Sequence, residues 1–284
     1  MKLVTFRHEG VRIGAVKDGG IVDLSDRHMA RDMVGLIAAW HDVKDHVERI
    51  VAHETPHIAL KDVELLAPVP RPQKVMAIGL NYADHIAESG AKTPEKQIWF
   101  AKMGHAVNGP YAPIQVPKVS TMIDWEAEMV FVIGKRCRHV PKERAHEVIF
   151  GYCCGNDISV RDWQFHTQQW LIGKSFDTHA PFGPWITTAD EVGDPHALGI
   201  RCIVNGQTKQ NSNTKNLVFN CFDQVAYLSE AMTLEPGDIV FTGTPGGVGQ
   251  STKPPQFLKV GDKVRIEIDK LGHLEADMVA EPSP

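Results

Sequence analysis

Residues 123–133, Ile-Asp-Trp-Glu-Ala-Glu-Met-Val-Phe-Val-Ile, put Asp124, Glu126 and Glu128 at one parity. In a strand, side chains two apart share a face, so three carboxylates converge there. An antiparallel strand with one solvated face carries the same alternation. Here the acids run straight into the apolar stretch 129–133, which places them at the mouth of a buried element. Carboxylates crowded at such a point repel unless a cation or shared protons neutralise them. Oxygen-only donors suit Mg²⁺, Mn²⁺ or Ca²⁺ better than zinc. Asp157, which follows the apolar run 149–154, is a candidate third ligand, although an Asp after a strand often serves as a turn or cap residue. Asp157, Arg161 and Gln164 recur at i, i+4 and i+7, one face of a helix, a spacing that ordinary surface helices also show. His85 and Glu88 form a second candidate, because on a short helix a carboxylate three residues on can hold and polarise an imidazole. Solvated helix pairs have that spacing too.

The elements that must position these residues are mostly strands. Short β-prone runs at 3–6, 11–16 and 20–24, separated by Glu9-Gly10 and Asp18-Gly19-Gly20, predict an antiparallel meander. Apolar residues at helical spacing over 32–40 and 45–53 predict one or two helices. Pro68, Pro70 and Pro72 then make a stiff link, which divides the chain into a small N-terminal α+β domain, 1–70, and a larger domain, 71–284. In the larger part, strands are expected at 75–78, 129–133, 200–204, 239–241 and 264–268. Asn205-Gly206 marks a two-residue hairpin, and Leu271-Gly272 another. Helices are expected at 84–89, 142–148, 161–169 and 220–232. The fold class is therefore mixed α/β and β-rich.

Asp157-Ile-Ser-Val-Arg161-Asp-Trp-Gln164, Gly173-Lys174-Ser175-Phe176-Asp177, Gly237-Asp238-Ile239 and Thr242-Gly243-Thr244-Pro245-Gly246-Gly247-Val248-Gly249, in that order and with the Glu126/Glu128 pair, resemble the fumarylacetoacetate hydrolase family over residues 74–279. The resemblance implies a mixed β-sandwich roll, a homodimer, a bound Mg²⁺ or Mn²⁺ and chemistry on small 2-oxo acids. It implies that Glu126, Glu128 and Asp157 hold the metal, and that Arg161, Gln164, Thr244 and Lys174 contact substrate. The segment Gly79-Leu-Asn-Tyr-Ala-Asp-His85-Ile-Ala-Glu88 looks like that family's mobile catalytic segment, in which the His and Glu act on water. Gly79 and Gly90 would be its pivots. Some relatives carry a further Asp seven residues before the His; position 78 is Ile, so three protein ligands are expected, with water completing the metal's shell. The loop 243–249 lacks a Gly-Lys-Ser/Thr ending and reads as close backbone approach near the metal rather than a phosphate cradle.

Relatives of similar layout include hydrolases of 2,4-dioxo sugar acids and proteins called ureidoglycolate lyases or hydroxyheptadienedioate isomerases. A site that stabilises a pyruvate enolate, with Lys174 beside it, could hydrolyse a 2,4-dioxo acid at C3–C4, decarboxylate oxaloacetate, isomerise a dienoate or tautomerise an enol. Hydrolysis is the leading expectation, because His85 with Glu88 can activate water. A metal-stabilised binding protein without catalysis is the non-enzymatic alternative.

Composition narrows the remaining classes. The 284 residues are 43% apolar and 23% charged, within the globular range. Thirty basic against 35 acidic side chains give −5, too mild for a field that steers nucleic acid or anionic membranes. No run approaches the roughly 18 apolar residues of a membrane-spanning helix, and the N-terminus lacks signal-peptide order. A cytoplasmic protein is expected. Its five cysteines, an odd number without CxxC spacing, read as reduced and mostly buried thiols.

Overall fold

The computed structural model describes residues 1–283 apart from 26 and 28. It begins as the expected meander, β1 (Lys2–Arg7), β2 (Val11–Lys17) and β3 (Gly20–Asp23). Glu9 and Gly10 turn the first reversal and Asp18 and Gly19 the second, all at positive φ. A single helix, α1 (Met33–His53), follows, capped by Asp32, whose side chain accepts the Gly35 N–H. The two predicted helical stretches fuse because His41 and Asp42 between them, and Asp45 and His46 at the start of the second, can stay helical with their side chains exposed.

The rest of the chain supplies β4 (Val75–Gly79), α2 (Ala83–Ser89), β5 (Ile98–Ala101), β6 (Ala127–Ile133), β7 (Ile149–Asn156) and α3 (Arg161–Gln164). Then come β8 (Ala180–Thr188), β9 (Gly199–Val204), β10 (Gln207–Asn213), α4 (Cys221–Ala231), β11 (Ile239–Phe241), β12 (Lys263–Ile268) and β13 (Gly272–Ala280). One large sheet runs β3-β2-β1-β8-β7-β6-β11-β4-β5, with short strands added along it. Its N-terminal strands are tied to the rest by β1 pairing with β8, Lys2 opposite Thr187. A five-stranded sheet runs β10-β9-β12-β13 and ends on Ile114–Val116. The fold is thus mixed α/β, β-rich, with several sheets.

The apolar run that ends the acidic strand explains how the layers meet. Met129, Phe131 and Ile133 of β6 join one core with Ile200, Cys202, Ile266 and Leu274 of the second sheet. Val130 and Val132, on the opposite face, join another with Leu36 and Ile37 of α1. Alternation places neighbours on opposite faces, and both faces are covered, so residues 129–133 are apolar without interruption.

Three expectations need correction. The extended segment 123–133 is not one strand: Ile123–Asp124 pairs with Ser159–Val160, and β6 starts afresh at Ala127. The predicted helix 161–169 ends at Gln164, because the chain folds back so tightly that a Cβ on Gly173 would lie 2.3 Å from the Gln164 nitrogen. Thr167 then bonds locally to Gln169, the kind of side-chain contact that competes with helix. The 142–148 segment winds as a 3₁₀ helix, Lys142–Glu147. The Asn205-Gly206 hairpin forms between β9 and β10, with both residues at positive φ, and β12 turns into β13 through Lys270 and Gly272, also at positive φ. Cys153, Cys154, Cys202 and Cys221 are buried free thiols, and Cys137 is half-buried.

Candidate active site

Two backbone-level clamps bring the acids together. Asn156, the last residue of β7, accepts the Glu126 N–H on its side-chain oxygen, and the Glu126 carbonyl accepts the Asp157 N–H. Glu126, Glu128 and Asp157 then present carboxylate oxygens within 4.8 Å of one another, all three residues buried. Asp157 reaches the cluster from the turn after β7, and α3 begins only at Arg161, so the single helix face suggested by the i, i+4, i+7 spacing does not exist. Asp124 stands apart. With the chain out of strand geometry at Trp125 and Glu126, its carboxylate turns away to accept the N–H groups of Trp125, Gly249 and Gln250, and the Arg161 guanidinium.

Cations fill the spaces between the acids. Lys174 Nζ donates to Glu126 Oε2 (2.7 Å) and Asp157 Oδ2 (2.8 Å). Arg161 spans Asp124 and Glu126, with nitrogen–oxygen distances of 2.7 and 2.8 Å, and donates from Nη1 to Gln164 Oε1. Lys102, which the sequence reading did not single out, is buried and donates to Asp157 Oδ1 (2.5 Å) and to the Ile158 carbonyl. A buried lysine requires such a partner, but a lysine that follows an apolar strand looks identical in sequence whether buried or exposed.

This packing sets the protonation of the cluster. Burial works against ionisation of Glu126, yet the charges of Lys174 and Arg161 overcome it and hold the carboxyl at about 2. Glu128 has no cation bonded to it: burial, then the charges of Asp157 and Glu126, push its carboxyl well above the usual range, against the opposing charge of Lys174 and the Gly243 N–H at 2.7 Å. Burial lowers the Lys102 ammonium and also opposes that of Lys174, which Asp157 and Glu126 raise nonetheless. An all-oxygen trio in which one acid is only partly compensated by a cation fits a divalent metal ion, which would supply the missing positive charge.

Above the cluster lies a cavity of about 230 Å³. Glu126, Glu128, Arg161, Gln164, Lys174, Thr244 and His85 all line it. Glu88 and Asp157 stand behind that wall. His85 Nδ1 lies 3.5 Å from Glu88 Oε2, whose carboxylate also accepts the Gly247 N–H. Thr244 spends its hydroxyl on the fold, donating to the Ala127 carbonyl and accepting from Gln210 Nε2. The loop 243–249 does approach closely: Gly243 sits at φ +101°, and a Cβ there would come 2.8 Å from the Asn81 side chain. Of the two expected pivots, Gly90 has a left-handed backbone at φ 67°, whereas Gly79 is held in β4 opposite Ile98 with the Trp170 ring against it. Gly79 is therefore no hinge.

Comparison with known proteins follows the same lines. The fumarylacetoacetate (FAA) hydrolase C-terminal family matches residues 74–279. The mitochondrial oxaloacetate tautomerase Fahd2a of Rattus norvegicus is 43% identical over 282 residues, 96% of this chain and 90% of that protein. The corresponding tautomerase FAHD2A of Homo sapiens is 40% identical over 283 residues, again 96% and 90%. Among solved structures, maleylpyruvate hydrolase from Sphingobium sp. SYK-6, in complex with manganese(II) and pyruvate, is similar at 34% identity and a TM-score of 0.85, covering 99% of this chain and 100% of that one. The 2-hydroxyhepta-2,4-diene-1,7-dioate isomerase of Mycobacterium marinum is similar at 31% identity and a TM-score of 0.78, covering 100% of each chain. The chain belongs to the fumarylacetoacetate hydrolase family.

Proposed function

We propose that this protein interconverts the enol and keto forms of a short 2-oxo dicarboxylate of the oxaloacetate class. The observation that carries this reading is the cavity-facing imidazole of His85, backed by Glu88, over a floor of acids and cations. Relatives 40–43% identical over nearly the whole chain, bearing the name oxaloacetate tautomerase, support it and move the weight from hydrolysis to tautomerisation.

In this reading Glu88 accepts the His85 Nδ1 hydrogen, leaving Nε2 as the base. Nε2 takes the proton from C3 of the keto acid as the C2–C3 double bond forms, and the imidazolium then gives that proton to the C2 oxygen, so that none is gained or lost overall; the reverse path restores the ketone. Lys174 uses two of its three hydrogens on Glu126 and Asp157, and the third is available for the C2 oxygen as negative charge grows there. Arg161 engages the Gln164 oxygen and so turns the Gln164 NH₂ into a donor for the substrate carboxylate. Glu126, Glu128 and Asp157 would hold a Mg²⁺ or Mn²⁺ ion, which when bound supplies Lewis acidity to the 2-oxo acid's oxygens.

Hydrolysis of an acylpyruvate or other 2,4-dioxo acid is the second reading, favoured by the likeness to a maleylpyruvate hydrolase. There the same imidazole would take its proton from water. The deciding experiment follows the ultraviolet absorbance of enol-oxaloacetate on dilution into buffer, in parallel with pyruvate release from oxaloacetate, acetylpyruvate and maleylpyruvate. Tautomerisation predicts faster enol loss without pyruvate, and a drop on the order of 10²–10⁴-fold in His85→Ala. Pyruvate from the dioxo acids with no effect on the oxaloacetate tautomers would establish the hydrolase instead. We also propose the homodimer that family resemblance implies, which sedimentation equilibrium tests.

A further inference from the structure

We infer that Asp84, together with Ser212, is a positioning residue that sets the place of the His85 imidazole; for its catalytic consequence this rests on the proton-transfer reading above.

Helix α2 has only seven residues, no side-chain cap at Tyr82, and Ile86 as its one buried residue. Helices below about 12–15 residues are marginal on their own, so tertiary contacts must hold this one. The chain entering it is fixed. Asn81 is fully buried and donates from Nδ2 to the carbonyls of Thr242 and Phe219, while its Oδ1 accepts the Phe219 N–H. The helix itself is held by two carboxylates four residues apart, which share a helix face. Asp84 Oδ2 accepts the Ser212 hydroxyl at 2.5 Å, and its Oδ1 accepts the N–H groups of His85 at 2.8 Å and Gly246 at 3.3 Å. Glu88, the second, accepts from Gly247.

Glu88 already touches the imidazole, so its effect on His85 is direct. Asp84 does not, and it acts through the backbone. By gripping the second sheet and the 244–249 loop at once, it fixes the rotation of α2, and the adjacent His85, roughly 100° further round a helix of 3.6 residues per turn, faces the cavity as a result. Ser212 is held in turn by Asn216 Nδ2 at 3.1 Å. It also sits two residues from Gln210 on β10, so the two side chains leave the strand on one face. Gln210 bonds Thr244, the Pro245 carbonyl and the Ala127 N–H. One strand of the second sheet therefore holds both the loop beside the acids and the helix that carries the base.

The test uses Asp84→Asn and Ser212→Ala in the metal-loaded protein, with whichever 2-oxo acid reaction the wild type performs. Ser212→Ala removes the bond to Asp84 and the one from Asn216 but no charge, and covers the case in which Asp84→Asn fails to fold. Expected are a fall in kcat on the order of tenfold, KM and oxalate affinity within about twofold of wild type, and faster amide hydrogen exchange confined to residues 83–89. Added to His85→Ala, either change should cost nothing further, since both act through the same imidazole. Full kcat in both variants, or an equal loss in the His85→Ala background, would overturn the proposal. If the wild type turns over no 2-oxo acid, the functional reading fails, and the exchange measurement still decides the positioning role: acceleration within 83–89 supports it, unchanged exchange removes it.

Discussion

His179 is wholly buried, and its Nε2 donates to the Gln115 carbonyl at 2.8 Å. Burial holds the imidazole neutral and brings its pKa down to about 3 against the Gln115 bond, which pulls the other way. The unfolded chain takes up this proton near 6.5 and the folded one near 3, so below pH 6.5 the unfolded state binds more protons and stability falls with pH. The expected slope from this one residue is about 1.4 kcal/mol per pH unit across that window. His179→Gln keeps a donor for Gln115 and does not titrate; denaturant unfolding at pH 7 and pH 5 should show a smaller acid loss in the variant, and an equal loss would refute the assignment. At this scale the sequence was legible where a single rule applied. Glu126 and Glu128 could be paired by parity counting, and they do converge although Glu126 stands just before β6. Asp124 could not be placed, because parity counting assumes an unbroken strand and the chain leaves that geometry at Trp125. Lys102 could not be found, since its partners lie 55 and 56 residues away.

At the scale of elements, local chemistry was readable and folding back was not. Asn205-Gly206 specifies a turn by its own backbone preference, and Asn220 caps α4 while Asp223 returns the bond, a reciprocal pair written in four residues. The end of α3 depends on Gly173 coming to rest against Gln164, which no nearby residue announces. Gly79 shows the same limit: its neighbour is Trp170, whose ring would lie 2.4 Å from an added Cβ. Trp170 in turn packs edge-on to Phe100, 5.5 Å between ring centres, and both line the cavity. Gly79→Ala should therefore push the indole into the cavity, with a stability loss of about 1–3 kcal/mol and a larger rise in KM than fall in kcat. A variant with unchanged KM and stability would show that Trp170 moves aside freely.

For the whole molecule, three chain regions far apart in sequence meet at the metal trio and its lysines, so occupancy of the site bears on global stability. A cation held only by the native state adds about 2.7 kcal/mol at 100 times its dissociation constant. Mn²⁺ or Mg²⁺ at that excess should raise Tm by several degrees, a chelator should reverse the gain, and Glu126→Gln should abolish it while folding without metal. An unchanged Tm at saturating metal would remove the trio as the binding site. The composition and apolar pattern made a two-sided, β-rich core legible. The joining of the N-terminal strands to β8 was not, because strand partners more than 180 residues apart leave no mark in either segment alone.

The census of charge around the cavity has a consequence for discrimination among substrates. In the buried inner cluster the carboxylates of Asp124, Glu126 and Asp157 are matched by three cations, Lys102, Arg161 and Lys174, and Glu128, whose carboxyl is pushed up, is the fourth acid. A divalent ion that drew the proton off Glu128 would leave this inner cluster with one positive charge in excess. On the function proposed above, that excess would favour an acid bound as its anion over the corresponding ester or amide, which brings no charge to balance it. Lys102, which bonds Asp157 without lining the cavity, would then bear on that choice: with a neutral side chain of the same length at that position, the preference for acids over esters should shrink.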